Sequence, residues 1–452
     1  MHDMAEKQST GDIYAQDSIF RILFKIAPPV MFASLIQSMY NLVDSFFVGR
    51  FSEHGLTALS VIFPLQLMVS GIAIGAGTGV NILMAHYYGV GKPDKARETA
   101  GSGIAFSVVC WAVFAVLAAL FLDPFVRASA SSPEAVRFGL SYGYIVCIGS
   151  IGLFTESTFT KILQAGGDMK RPMAAQVAGA LINIVFDPLL IFGLYGLPGM
   201  GVAGAAAASV IGQIAAALIT GSKAFTMPPA LKKCRYWTGR ILKLGYPAII
   251  MQCLYTVYIS ALNIILMHFS DEAVTVLGLY YRLQTFFFIP FFAFETCVVP
   301  VISYNFAQKK YDRCRKTFFE ATIISMAFMT VGTLAFAFLQ DPLIRIFTDS
   351  ALVLEIGRKA FPLIGLSFIP AVTSWLFPIF FQAIGRDIAS SFLSIFRQLI
   401  CLVPLFWLFS RISLDLSWVA FPVTEVLVTI VGGIMYLRQV RRWNKETEAA
   451  GN

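Results

Sequence analysis

An aspartate stands inside an apolar segment of this chain, directly before a proline. The stretch NIVFDPLLIFG, from Asn183 to Gly193, places Asn183 four residues before Asp187. Residues four apart share one face of a helix, so the amide and the carboxylate are expected to lie together. A charge at mid-membrane costs about 3 kcal/mol, and an acid there needs a partner or a function. Grouped oxygen atoms of this kind suit a proton or a sodium ion.

Pro188 strengthens the prediction of an ion site. Proline has no N–H group and its ring clashes with the preceding turn, so we expect a kink that frees the carbonyl oxygen of Ile184. That oxygen would add an acceptor beside Asn183 and Asp187. The structural alternative is that Asp187 only stabilises the kink and hydrogen-bonds Asn183.

A second intramembrane acid, Asp44, is predicted at a similar depth. Asp44 follows Lys25 by 19 residues, and Asp187 follows Arg171 by 16 residues. At about 1.5 Å per helical residue, each acid lies about 24–28 Å from its basic edge. The two carboxylates can therefore share one pocket.

The composition sets these acids in a membrane protein. The chain has 452 residues, 57% hydrophobic and 13% charged, whereas soluble domains carry about a quarter charged residues. We attribute the net charge of +8 to basic cytoplasmic loops and not to a nucleic-acid partner. The basic loops place both termini in the cytoplasm. Twelve helices are predicted at 25–49, 56–86, 99–122, 136–163, 171–194, 200–222, 240–268, 273–307, 315–339, 352–382, 388–409 and 414–438.

The chain repeats itself at an offset of 218 residues. FSEHGLTALSVIFPLQ, from Phe51, aligns with FSDEAVTVLGLYYRLQ, from Phe269, without gaps. The repeat predicts a six-helix lobe at 1–223, a basic cytoplasmic linker at 224–240 and a second lobe at 241–452. Two units with an even number of helices are related by a pseudo-two-fold axis along the membrane normal, as in transporters that open a central cavity alternately. A duplicated channel or scaffold is the alternative.

The repeat also helps to distinguish residues that the fold requires from residues that have a function. It places Asp44 on Leu262 and Asp187 on Leu405, so the second half keeps its helices without these acids. The fold does not require them, which favours a functional role.

Other buried charges are assigned less specific roles. Glu295 aligns with Gly77 and is also an acid of one half only; substrate contact and a structural hydrogen bond are both open. Glu156 and Lys161 are expected to form an ion pair. Three further residues are expected to tie helices together: Arg282, Arg397 and Glu425.

Sequence motifs give no support for an enzyme or a resident cofactor. GMGVAG at 199–204 has the form GxGxxG but follows a membrane helix, not a strand. The chain has no GxxxxGK[ST] motif and no HExxH motif. An intramembrane hydrolase would need a nucleophile and a base, and no such pair is recognisable.

Several segments together resemble the multidrug and toxic compound extrusion (MATE) transporters, and the bacterial MepA-like members in particular. They are PPVMFASLIQSMYNLVDSFFVG, NIVFDPLLIFG, GVAGAAAAS and ETCVVPVISYNFAQKK, within two six-helix halves. The resemblance runs from about Phe20 to Arg442. It implies an all-α membrane protein of two lobes that exports amphipathic cations in exchange for protons or sodium ions.

The resemblance also implies site residues. An N-lobe cation site would comprise Asp44, Asn183 and Asp187, with a hydroxyl group from Ser209, where many relatives have threonine. The same two acids and Asn183 would bind sodium, if sodium is the coupling ion. Glu295 resembles an acid near the drug site of MepA-like proteins. We predict that three more residues contribute to substrate binding: Gln37, Tyr40 and Phe288.

The expected function is therefore a secondary active antiporter in a bacterial cytoplasmic membrane, working as a monomer among membrane lipids on small cationic drugs, without a cofactor. Two alternatives are a passive channel and a flippase for a lipid-linked or anionic amphiphile. A flippase would be expected to carry several cationic cavity residues, whereas acids are more prominent here.

Overall fold

The structure, a computed structural model, is built from helices. It describes residue 14 and residues 18–129, 132–196, 198–348 and 350–451, and no strand occurs among them. Within these ranges, eleven helices are long and apolar enough to cross a membrane, or twelve if one pair bent by 52° is counted as a single span. The predicted all-α membrane architecture is confirmed.

The helices of the first half are α1 (Ile19–Phe51), α2 (Glu53–Gly89), α3 (Pro93–Ser129), α4 (Pro133–Ile148), α5 (Ile151–Ala165), α6 (Lys170–Phe192) and α7 (Val202–Ala224). A short 3-10 turn, Leu194–Gly196, follows α6. The helices of the second half are α8 (Leu231–Met267), α9 (Asp271–Phe287), α10 (Ile289–Ala307), α11 (Tyr311–Phe338), α12 (Gln340–Arg345), α13 (Ala351–Gly365), α14 (Phe368–Ala383), α15 (Asp387–Ile395), α16 (Val403–Ser410), α17 (Leu414–Ser417) and α18 (Ala420–Gly451). A π-helix, Phe396–Leu402, joins α15 to α16.

The element bounds repeat at the offset found in the sequence. Helix α2 spans 53–89, and its counterpart α9–α10 spans 271–307, which is 218 residues later at both ends. Even the cap recurs, because Ser52 accepts a hydrogen bond from the N–H of Gly55, and Ser270 accepts one from the N–H of Ala273. The two halves therefore share the ends of this segment and its N-terminal cap.

Several predicted helices are interrupted. The helix predicted at 136–163 is divided into α4 and α5, with Gly149 capping α4. The helix predicted at 273–307 breaks at Phe288, where Pro290 in the first turn of α10 has no N–H to continue the helix. Helix α8 begins at Leu231, so the second half of the predicted linker is helical.

The chain forms two compact units. Unit 1 comprises Phe24–Gln252 with Tyr14, and unit 2 comprises Ser18–Leu23 with Cys253–Asn452. Within unit 1, α7 packs against α4, α5 and α6. Within unit 2, α14 packs against α10, α11 and α18.

Candidate ion-binding site

Two glycines bring α6 and α7 into backbone contact inside unit 1. A Cβ atom on Gly212 would lie 2.5 Å from the carbonyl oxygen of Gly179, and one on Gly179 would lie 2.7 Å from that of Gly212. Only glycine permits this approach, as expected for small residues between membrane helices. The contact sets Asn183 of α6 beside Ser209 of α7.

Asn183 connects the polar side chains of the site. Its Nδ2 group donates to Asp187 Oδ1 and to Ser209 Oγ, both at 3.3 Å. Asn183 is 2% exposed and Asp187 is fully buried. The spacing of four residues therefore places the amide and the carboxylate together, as predicted.

Asp44 of α1 belongs to the same electrostatic group. It is 8% exposed, and its charge acts on Asp187. The charges of both acids also act on Tyr40, which lies one turn earlier in α1. The charge interaction between Asp44 and Asp187 is consistent with the similar depth predicted for the two acids.

The site holds more buried oxygen atoms than hydrogen-bond donors. Three of its oxygen atoms have no hydrogen-bond partner among the described residues: Asp44 Oδ1, Asn183 Oδ1 and Asp187 Oδ2. A buried polar atom without a partner is costly, so a proton or a cation that neutralised the acids would be bound favourably. No group of three His, Cys, Asp or Glu side chains suited to a metal occurs in the described ranges. A sodium ion would therefore need the oxygen atoms of Asn183 and Ser209 in addition to the two acids.

A cavity of about 90 Å³ adjoins these residues within unit 1. Asn183 and Ser209 line it, and so do Gln37 and Tyr40, which were predicted to bind substrate. Its other polar wall residues were not predicted as site residues: Glu156, Gln176 and Gln213.

The periodicity of α6 indicates this wall. Gln176, Gly179, Ala180 and Asn183 follow the i, i+3, i+4, i+7 pattern of one helix face. All four line the cavity.

Glu156 is held differently from the prediction of an ion pair with Lys161. Its Oε1 atom accepts hydrogen bonds from Thr160 Oγ1 at 2.7 Å and from Gln176 Nε2 at 3.5 Å. Lys161 acts on the same carboxylate through its charge.

The remaining predicted substrate residues lie in unit 2. Glu295 is partly buried in α10. Phe288 is 2% exposed, and its ring packs against Phe291, Phe368 and Trp375. In the described structure the Phe288 ring is thus part of an aromatic cluster of the helix core.

A buried ion pair ties the helices of unit 2 together. Arg397 in the π-helix contacts Glu425 of α18, with Nη2 to Oε1 at 2.7 Å, and both residues are below 8% exposure. Ser374 also donates to Glu425, and the guanidinium of Arg397 lies 4.3 Å from the ring centroid of Trp375. The predicted tying role of Arg397 and Glu425 is confirmed.

Comparison with known proteins agrees with the fold and the repeat. The MatE family model matches residues 29–189 and 247–408, and the two matches begin 218 residues apart. The FAD transporter of Shewanella oneidensis is 24% identical over 424 residues, covering 91% of this chain and 93% of the relative. The multidrug export protein MepA of Staphylococcus haemolyticus is 25% identical over 420 residues, covering 89% of each.

A solved structure has the same fold. The MOP superfamily transporter from Pyrococcus furiosus superposes with a TM-score of 0.89 at 20% identity, covering 96% of this chain and 98% of that one. Both halves of the chain match the family model, and the curated relatives match along most of their length. The chain therefore belongs to the MatE family, the multidrug and toxic compound extrusion transporters.

Proposed function

We propose that this protein exports amphipathic organic cations from a bacterial cell in exchange for protons or sodium ions. The observation that carries the proposal is the buried group of Asp44, Asn183 and Asp187, whose oxygen atoms exceed the donors available to them. A cation from outside the cell supplies the missing positive charge. The MepA relative, a multidrug export protein, supports the same class of activity.

Coupling requires that the ion distinguish two arrangements of the protein. A cation drives transport only when it binds the outward-open and inward-open states with different affinity. Asp44 lies on α1, and Asp187 and Ser209 lie on α6 and α7, so one bound ion would connect three helices. A small shift of α1 would change the ligands that the ion contacts and hence its affinity.

The charge of the cavity favours a cationic cargo. Its described wall includes the carboxylate of Glu156 and no lysine or arginine. Tyr40 offers a ring face that can bind a cation. Gln37, beside it, offers both a donor and an acceptor.

Transport assays under defined gradients test the proposal. The full chain is reconstituted in liposomes, and movement of ethidium is followed under an imposed pH gradient, a sodium gradient or neither. One gradient should drive ethidium against its own gradient in the wild type, and Asp187→Asn should lose this. Asp123→Asn is the matched control, because Asp123 pairs with Arg127 in an exposed ion pair. Uphill transport by Asp187→Asn at the wild-type rate would refute the assignment.

A second candidate cargo is an anionic aromatic dinucleotide. The Shewanella oneidensis relative is named an FAD transporter and aligns along most of both chains. The same liposomes loaded with FAD distinguish the two candidates: gradient-dependent release of FAD, with no movement of ethidium, would favour the dinucleotide.

A further inference from the structure

Glu156 is a third buried acid of unit 1, apart from Asp44 and Asp187. It lies on α5, is 9% exposed, and lines the same cavity as Asn183 and Ser209. Its position inside the wall of a polar cavity needs an explanation, because a buried carboxylate is costly without a compensating charge.

Two hydrogen bonds of Glu156 converge on one oxygen atom. Thr160 and Gln176 both donate to Oε1. These two donors fix the orientation of the carboxylate at the cavity wall.

Glu156 and Asp187 lie at two levels along α6, and the cavity begins beside Asn183, which contacts Asp187. Gln176, which contacts Glu156, precedes Asp187 by eleven residues on α6, a rise of about 16 Å along the helix axis. The cavity wall reaches from Gln176 to Asn183. It therefore extends from the ion site toward the Lys170 end of α6.

Acceptor atoms lie along the cavity between these levels. Asn183 Oδ1 and Gln213 Oε1 are buried without a partner among the described residues, and both residues line the cavity. Only 2% of the surface of Asn183 is exposed. Tyr40 lies within the field of Glu156 as well as of Asp44 and Asp187. The charges of all three acids therefore act on Tyr40, which lines the cavity.

Unit 2 fills the equivalent positions differently. The offset of 218 places Arg397 on Gly179, Ser374 on Glu156 and Tyr258 on Tyr40. In unit 2 the acid Glu425 is in direct contact with the guanidinium of Arg397. In unit 1, glycine stands at the position of that arginine, and the described cavity wall has no lysine or arginine. The face of Glu156 toward the cavity therefore meets neutral polar groups such as Gln176 and Asn183.

We propose that Glu156 is a second binding site for the coupling cation, occupied as the ion passes between Asp187 and the Lys170 end of the cavity. The inference rests on the proposed antiport function and extends it with a route. Removing the charge should slow the passage of the ion, while the equilibrium site at Asp44 and Asp187 remains intact.

The test compares rate with affinity in the same reconstituted protein. At saturating ethidium, Glu156→Gln should slow gradient-driven ethidium exchange at least tenfold. The affinity for the coupling cation, measured without ethidium from the shift of the thermal unfolding midpoint with cation concentration, should stay within twofold of the wild type. Glu134→Gln, which removes an exposed acid of α4 paired with His54, should exchange ethidium at the wild-type rate.

The outcomes separate this inference from the proposed function. If folded Glu156→Gln exchanges within twofold of the wild-type rate, Glu156 is not an ion site. If the rate and the affinity for the coupling cation change together, Glu156 acts through the site at Asp44 and Asp187 and the inference is also wrong. Should Glu156→Gln fail to fold, Glu156→Ser replaces it, since unit 2 folds with Ser374 at that position, and the same two criteria apply. Asp187→Asn is measured in parallel, and uphill export by that variant would refute the antiport proposal itself.

Discussion

At the scale of single residues, the ion site depends on the balance between donors and acceptors. Asn183 gives its amide hydrogens to Asp187 and Ser209, which leaves its own oxygen without a donor. Asp44 is buried, and its charge acts on another acid, Asp187. A bound cation would satisfy all of these groups at once.

Substitution of Ser209 tests whether its hydroxyl group is a ligand of the coupling cation. Replacing Ser209 with alanine removes one oxygen and one hydrogen bond, worth about 1 kcal/mol, so the affinity for the coupling cation should fall about five- to tenfold. Ser209→Thr keeps the hydroxyl group and should bind nearly as tightly as the wild type. The measurement is the cation concentration that gives half-maximal ethidium transport. Equal values for the alanine and threonine variants would exclude the hydroxyl group as a ligand.

The ion pair of unit 2 predicts a stability effect instead. Glu425→Ala leaves Arg397 buried without its counter-ion, which typically costs about 3–5 kcal/mol. Its thermal unfolding midpoint in detergent should therefore drop clearly. Asp341→Asn breaks the exposed pair with Arg358 and should leave the midpoint near that of the wild type. A similar loss in both variants would contradict the distinction between buried and exposed pairs.

The sequence identified the acids of the site but not its full wall. Asp44, Asn183 and Asp187 stood out because charge is rare in an apolar segment. Gln176 and Gln213 did not, since an uncharged amide is compatible with many environments. Their position depends on how α6 and α7 are rotated about their axes, which the glycine contact determines.

At the scale of elements, the contact between α6 and α7 positions the site. Gly204 adds a second close approach, because a Cβ atom there would lie 2.5 Å from the carbonyl oxygen of Leu190. The glycines of GVAGAAAAS were interpreted as allowing close packing, and Gly204 confirms that interpretation.

A methyl group at this contact should uncouple transport. In Gly212→Ala the new Cβ would overlap the Gly179 carbonyl, so α7 must shift and the hydrogen bond between Asn183 and Ser209 should lengthen. We expect at least a tenfold loss of gradient-driven ethidium transport. Gly278→Ala is the control, because nothing lies within 4 Å of the added atom. Normal transport by folded Gly212→Ala would show that the close contact is not needed.

Helix existence was predictable and helix continuity was not. Hydropathy shows only that a segment is apolar enough to lie in the membrane. The break at Phe288 depends on Pro290, and the bend of 52° between α13 and α14 falls at Leu366 and Ser367. Neither interruption changes the hydropathy of its segment.

At the scale of the whole molecule, one fold unit serves two purposes. Unit 2 has Leu262, Cys401, Leu405 and Leu427 at the positions of Asp44, Asn183, Asp187 and Ser209. The same helices therefore carry the proposed ion site in unit 1 and cysteine or leucine at the equivalent positions in unit 2. Duplication explains the shared helices, and the substitutions explain why coupling is assigned to one unit.

This asymmetry predicts that an acid cannot simply be moved. The double variant Asp187→Asn, Leu405→Asp restores the number of acids but places the new one beside Cys401, which cannot replace the amide of Asn183. It should remain as uncoupled as Asp187→Asn alone in the ethidium assay. Recovery of uphill transport would show that the two units are interchangeable.

We propose that cargo and ion exchange through the group of Asp44, Asn183 and Asp187. Running this exchange backwards, in liposomes that have no imposed ion gradient, is the decisive test. A gradient of ethidium alone should drive protons or sodium ions in the opposite direction in the wild type, recorded with a pH-sensitive dye or a sodium tracer, and Asp187→Asn should show no such ion movement. Ethidium flux without ion movement in the wild type, or unchanged ion movement in Asp187→Asn, would show that this group does not couple cargo to ion.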